Sequence, residues 1–298
     1  MPLIGEFAAL GTSFCWALGS NFFAAAGKVM GPVVLNRLRI TMAAVFLVTA
    51  LMIVHGTPWP FWASGRQVLL LGTSGLIGFI FGDTFYFRSI LILGPGRGST
   101  LACLAPPFTA LLALPLLGER LGPLAILGMA LTVAGVAWTV SDHTRFEHAH
   151  FKGSLAVGVA AGALGALGQA AGFVLSKIAL RDGLDALSAT VIRVTISAAC
   201  FWMMAVASRD VARSLRALRH PASTRSMVGG AFCGPFLGVT LSLFAVQHTE
   251  AGVAASIAAF YPIPTILISS RVHHEKITAR TFAGAAVAIV GIVLLFLR

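Results

Sequence analysis

Runs of about 20 mostly apolar residues recur along this chain, and nothing else in it so narrows what it can fold into. A helix rises about 1.5 Å per residue, so such a run matches the roughly 30 Å hydrocarbon core of a bilayer. Ten runs are expected to form spans: Ile4 to Ala25, Val33 to Val54, Val68 to Leu93, Ser99 to Leu117, Leu121 to Val140, Leu155 to Lys177, Ala186 to Ala207, Met227 to Val246, Gly252 to Ser270 and Thr281 to Leu297. The expected fold class is an all-α integral membrane protein. The first run carries Glu6 and lacks a basic segment before it, so it reads as a retained helix and not a cleaved signal peptide. The longest connections, Asp142 to Gly153 and Ser208 to Ser226, leave no room for a soluble domain.

Composition excludes the alternatives. Only 10% of the 298 residues are charged, whereas a soluble domain needs about a quarter to cover its surface. The net charge of +11 would suit a nucleic-acid binder only on a water-facing basic surface, which the apolar runs replace, so no nucleic-acid partner is expected. Cys15, Cys103, Cys200 and Cys233 all fall inside spans and read as small buried apolar side chains.

The chain repeats itself. Pro106 and Pro262 lie in similar phrases at an offset of 156, shared by Gly82 with Gly238, Glu119 with Glu275, and Gly135 with Gly291. Upstream, Arg39-Ile40-Thr41 matches Arg193-Val194-Thr195 at 154, and Gly19 and Lys28 match Gly168 and Lys177 at 149. Two units follow, residues 1–146 and 147–298, of five spans each. An odd number makes the second unit enter the membrane from the opposite face, giving two inverted five-helix repeats. Secondary transporters use this arrangement, with the substrate site near the midplane between the repeats.

Of the 21 Lys and Arg residues, twelve fall in loops after odd-numbered spans, and five in the even-numbered loops and termini. Arg37, Arg39, Arg88 and Arg193 lie in or near span ends. By the positive-inside rule the odd loops are cytoplasmic and both termini lie outside.

Ionisable residues at membrane depth cost at least about 2.5 kcal/mol on insertion scales, so each needs a partner or a function. Asp83 lies about 14 Å of helix from the end of its span near Leu93, and Val239 occupies its repeat position. It reads either as a substrate and proton-coupling site or as half of an ion pair with Arg39 or Arg88. Arg39 and Arg193, repeat mates near the start of their spans, either snorkel to the headgroups or present a planar fork to a carboxylate or phosphate. Asn21 and Gln169 either join helices or line a cavity. Trp16, Phe79, Phe81, Phe85, Tyr86, Phe87, Phe260 and Tyr261 gather near the midplane, where a subset would stack on substrate. Tyr261-Pro262 and Pro106-Pro107 mark a repeated helix kink.

Competing chemistry is weakly represented. His143, His148 and His150, and His273 with His274 and Glu275, lack spacing that closes a metal site. No GxSxG, HExxH or phosphate-binding loop occurs, so neither an enzyme nor an ATP-driven pump is expected, and no cofactor or metal. Gly158-Gly162 and Gly284-Ala288 suit close helix packing.

WALGSNFFAAAGK from Trp16, NRLRIT from Asn36 and the long phrase GDTFYFRSILILGPGRGSTLACLAPPFTALLALPLLGERLGP from Gly82 resemble the EamA branch of the drug/metabolite transporter superfamily. LLGER at Leu116 to Arg120 looks like that family's marker, with an echo RVHHEK at Arg271 to Lys276. The resemblance spans the chain. It implies a cavity formed by the first, third and fourth helices of each half, and so implicates Trp16, Ser20, Phe79, Asp83, Tyr86, Gln169, Phe260 and Tyr261. The membrane glutamate of the small multidrug resistance relatives falls on Trp16 here and on Gly165 in the second half, which leaves Asp83 as the candidate for coupling. Glu119 and Glu275 are expected to cap or pair at helix ends.

The expected activity is alternating-access export of small organic metabolites, preferentially amino acids or similar zwitterions, across the inner (plasma) membrane. The expected partners are a small-molecule substrate and the lipid bilayer, with the chain acting as a monomer. Export of drug-like amphiphiles, a lipid-linked sugar flippase and a non-transporting scaffold are the alternatives.

Overall fold

Glycine and proline decide where many of the helices stop and start. A computed structural model of the protein describes residues 3–117, 122–140, 154–248, 257–258, 260–272 and 278–296. The first helix, α1 (Ile4–Met30), ends at Gly31, whose φ of 73° is left-handed, and Pro32 opens α2 (Pro32–His55) in the next residue. The same device recurs at Gly94, with φ 86°, and Pro95. A proline at the first helical position gives up only an amide that would lack a helical partner anyway. Such junctions turn the chain back with almost no loop.

Between these junctions lies α3 (Gly65–Leu93), opened by a capping box in which Ser64 Oγ accepts from Gln67 N–H and Gln67 Oε1 accepts from Ser64 N–H. Next comes α4, which runs Pro95–Leu101, tightens into a 3₁₀ turn at Ala102–Leu104 and resumes at Ala105–Leu117. The first repeat closes with α5 (Pro123–Val140). The second supplies α6 (Leu155–Leu180), α7 (Ala186–Ala207), a short α8 (Val211–Ala217), α9 (Pro221–His248), α10 (Pro262–Val272) and α11 (Ala279–Phe296). Ser154 caps α6 and Asp185 caps α7, each accepting from the backbone N–H three residues on. The described residues contain no strand.

Among the described residues, six helices are long and apolar enough to cross a membrane: Pro32–His55, Gly65–Leu93, Pro95–Leu116, Leu155–Leu180, Ala186–Ala207 and Pro221–Ala245. Two shorter apolar helices, Ile126–Thr139 and Ala279–Leu294, and the 27-residue α1 accompany them. Large apolar side chains stand on the outer faces, Ile53 being 80% exposed and Leu69, Phe7 and Val206 also bare. Faces of this kind require lipid around them.

Several expectations need correction. The connection expected at Ser208 to Ser226 holds all of α8 and the start of α9. The third span begins at Gly65 and the fourth at Pro95. Pro262 does not kink a helix among the described residues; it opens α10 after a turn at Phe260 and Tyr261. Pro106 and Pro107 likewise sit in the first turn after the 3₁₀ segment of α4. The connection from Asp142 to Gly153 with its three histidines, Glu119, His273, His274 and Glu275, and the start of the ninth span at Gly252 lie outside the described residues.

The repeat is visible in irregular structure as well as in sequence. A π-helical segment interrupts α3 at Leu76–Gly82 and α9 at Phe232–Gly238, positions separated by the offset of 156. The halves also exchange helices. The second half's α6 packs along α3, and the first half's α1 packs along α9. A third contact pairs α5 with α11, which are themselves repeat mates. An added Cβ on Gly135 would lie 2.4 Å from Ala288 N, and one on Gly291 2.4 Å from Thr132 N. These two glycines, mates at the offset of 156, let the helices touch backbone to backbone. Thr132 and Thr139 carry their hydroxyl hydrogen bonds across to the Ala288 and Thr281 carbonyls at 3.4 Å.

Candidate functional site

Glycines on α6 bring it hard against α3, and this contact places the polar groups of the interior. An added Cβ on Gly168 would lie 2.7 Å from the Cα of Gly82, and one on Gly165 2.9 Å from the amide of Tyr86. The close approach sets Gln169 beside the π segment of α3. In a π turn the carbonyls bond amides five residues on, as Gly78 O does with Asp83 N–H, and two side chains add to them: Gln169 Nε2 donates to Gly78 O at 3.2 Å, and Asn36 Nδ2 donates to Phe79 O at 2.6 Å. The π segment ends at Gly82, so Asp83 starts the following α-helical stretch and faces inward.

Asp83 is 7% exposed and does not stand alone. Arg39 donates to one carboxylate oxygen through Nη2, forming a salt bridge, and Gln169 Nε2 donates to the other. Arg39 is held from behind by Asn36 Oδ1 at 3.0 Å, and its guanidinium lies over the rings of Phe87 and Phe23, 4.6 and 5.0 Å from their centroids. Asn36 also donates to Thr84 Oγ1 at 2.9 Å. Of the two partners expected for Asp83, Arg39 is the one used, while Arg88 is exposed.

Arg193, the mate of Arg39, is placed differently. It is 5% exposed, its guanidinium sits 4.8 Å from the Phe79 ring centroid, and among the described residues that guanidinium makes no hydrogen bond or ion pair. Neither arginine snorkels to the headgroups, because each is enclosed by helices packed at glycine.

These groups line a cavity of about 270 Å³ between the repeats. Nine of the eleven residues picked out in the sequence border it: Trp16, Ser20 and Arg39, then Phe79, Asp83 and Tyr86, and finally Gln169, Arg193 and Tyr261. The other two do not. Asn21 turns away, donating to Ala17 O at 2.9 Å and Thr265 O at 3.4 Å, and so ties α1 to α10. Phe260 is 40% exposed on the outside. Of the remaining aromatics, Phe87 lines the cavity, while exposed Phe81 packs on Phe85 at 4.8 Å.

Repeat mates line the cavity with unequal chemistry. Asp83 is matched by Val239, Tyr86 by Ser242, Phe79 by Pro235 and Trp16 by Gly165, and all eight residues line it. Ser242, Pro235, Val239 and Cys103 went unnoticed as lining residues in the sequence. The offset of 156 was the available signal for the first three, since each is the mate of a residue already singled out.

The lining spreads from the midplane toward Ala9, near the start of α1, and Ala245, near the end of α9. On the opposite side of Arg39, Phe23, Met30, Leu35, Phe87, Ile90 and Met227 pack into a buried apolar cluster. Three contacts fasten the middle: Ser20 Oγ with Tyr86 Oη at 3.1 Å, Tyr261 Oη donating to Ser99 O at 3.0 Å, and the Trp16 ring edge-on to Tyr261 at 5.6 Å. Among the described residues, apolar packing thus lies on the Met30 side of Arg39 and the cavity lining on the Ala9 side.

A solved structure described only as "Crystal structure of protein" is similar in fold, with TM-score 0.65 and 19% identity over 98% of this chain and 95% of that one. No curated protein matches significantly. The EamA-like transporter family profile matches twice, over residues 3–141 and 156–297, one match for each repeat. Two consecutive matches covering nearly the whole chain, on a helical structure whose halves interlock through repeat mates, make this protein a member of the EamA-like transporter family, a membrane transporter of the drug/metabolite transporter superfamily.

Proposed function

We infer that the chain is a secondary transporter of ten membrane helices, built as two inverted repeats over residues 1–146 and 147–298, that exports small organic metabolites by alternating access. Amino acids or similar zwitterions are its preferred cargo. The observation that carries this reading is the cavity bordered by mates from both repeats, with a buried apolar cluster on one side of Arg39. Inverted repeats supply two nearly equivalent end states, because contacts made by one half in the first state can be made by its mates in the second. Aromatic walls with two arginines and one carboxylate suit a small polar molecule with an apolar body. The mainly apolar remainder of the lining keeps drug-like amphiphiles as the second reading.

The protein works as a monomer in the inner membrane with both termini outside. A C-terminal alkaline phosphatase fusion should be active and the matching fluorescent-protein fusion dark; the reverse would overturn the orientation. The cargo is tested by reconstitution into liposomes with labelled amino acids, amines and nucleosides, with and without a pH gradient. Gradient-dependent movement of an amino acid that is lost in Asp83→Asn supports both the substrate class and proton coupling. Movement unchanged in that variant refutes the coupling role, and movement of amines alone refutes the class.

A further inference from the structure

Two guanidiniums face one carboxylate inside the cavity, and the pairing among them is lopsided. Asp83 accepts from Arg39 on one carboxylate oxygen and from Gln169 on the other, and attracts Arg193 only through space, so it is the less available group for a substrate. Arg193 retains its charge and its donors, and its Nε is shut away from water without a hydrogen-bond partner among the described residues. Among the described residues no other charged side chain lines the cavity, so these three leave its wall one positive charge in excess. Burying a cation without an ion pair is costly, and the Phe79 ring offsets only part of that cost. Thr190 and Ser197 on the same helix satisfy themselves on backbone carbonyls one turn back, whereas Arg193 reaches past Phe79 into the hollow.

We propose that Arg193 is the anchor for a single carboxylate on the transported molecule, so that the site selects organic monoanions and takes amino acids through their carboxylate alone. A guanidinium offers two parallel N–H donors that match the two oxygens of a carboxylate. The Phe79 ring beneath holds the fork in plane and excludes water from one of its faces. The neutral Asp83–Arg39 pair supports the wall of the pocket and contributes no net charge to recognition. The ammonium of an amino acid is then tolerated and unnecessary. This inference deepens the transport reading and rests on the same cavity.

The test uses the purified full chain in detergent and four probes that share one apolar body: 3-phenylpropanoate, phenylalanine, phenethylamine and phenyl phosphate. Thermal unfolding with increasing probe gives apparent affinities. The two carboxylates should bind and raise the unfolding temperature, the acid at least as well as the amino acid, and the amine should not. Arg193→Gln should weaken carboxylate binding at least about 30-fold, as loss of one member of a buried charge pair does, and Arg193→Lys should recover part of it. Without probe, Arg193→Gln should unfold at about the temperature of the parent, because the lost through-space attraction to Asp83 is offset by removal of a buried charge that makes no ion pair among the described residues. Equal binding by the amine, no binding by either carboxylate, tighter binding by the doubly charged phosphate, or undiminished binding in Arg193→Gln would each overturn the proposal. A probe-free variant that unfolds well below the parent would make Arg193 a structural residue and overturn it too. Carboxylate binding lost in Arg193→Gln, with no uptake by liposomes, would leave the anchor standing and refute the transport reading.

Discussion

Replacing Asp83 by Asn isolates the ion pair on which the interior geometry depends. Asn keeps the shape and one acceptor for Gln169 but removes the charge that faces Arg39. Arg39 is 4% exposed and held away from water, since its guanidinium packs against Phe23 and Phe87 and is tied to Asn36. Breaking a buried pair by removing one member costs about 3–5 kcal/mol, whereas removing both members is often neutral. Arg39→Gln alone leaves Asp83 with Gln169 and with the charge of Arg193 nearby, so its loss should be the smaller of the two. The double variant, Arg39→Gln with Asp83→Asn, should recover most of the stability lost by Asp83→Asn. Chemical or thermal unfolding of the four proteins in one detergent gives the coupling energy directly. A double variant that loses the sum of the single losses would refute the assignment of Arg39 and Asp83 as one neutral unit, as would an Asp83→Asn protein as stable as the parent.

Gly135→Ala should destabilise by roughly 1–3 kcal/mol, because the new Cβ would lie 2.4 Å from the backbone nitrogen of Ala288; Gly122→Ala, with nothing within 4 Å of its Cβ, is the control, and unfolding temperatures compare them. Asn36→Ala removes the side-chain hydrogen bond to the carbonyl of Phe79 in the π segment and should cost about 0.5–1.5 kcal/mol, visible as faster amide exchange around residues 76–82. Tyr261→Phe loses one hydrogen bond to Ser99 O, about 0.5–1.5 kcal/mol by the same unfolding assay. Arg66→Ala removes an exposed pair with Asp182 and should change stability by less than about 1 kcal/mol.

The helical spans were legible because each needs only a run of apolar residues about as long as a bilayer is thick. The repeat was legible from a few prolines and glycines at a fixed offset. What lay hidden was local and directional. Pro235 hints at the π segment of α9, since it lacks the amide a regular helix would use there, but its mate is Phe79, which gives no such hint. The short helix α8 could not be read because its seven residues include two arginines and carry no apolar run. Asn21 and Ser20 are adjacent, so composition alone could not say which faces the cavity; the helix turns Ser20 inward and Asn21 toward α10. Phe260 and Tyr261 divide in the same way. The arginine mates could not be told apart in sequence because their difference lies in a third residue: Asp83 faces Arg39, and its own mate is Val239.

Access to the cavity from each side of the membrane tests the central claim most directly. Ser242→Cys, on a background in which Cys15, Cys103, Cys200 and Cys233 are replaced, places one thiol in the lining. In liposomes of uniform orientation, a membrane-impermeant thiol reagent is applied from outside in one set and trapped inside in another. Alternating access predicts modification from both sides, each slowed by bound carboxylate. Modification from one side only, at every substrate concentration, would contradict it.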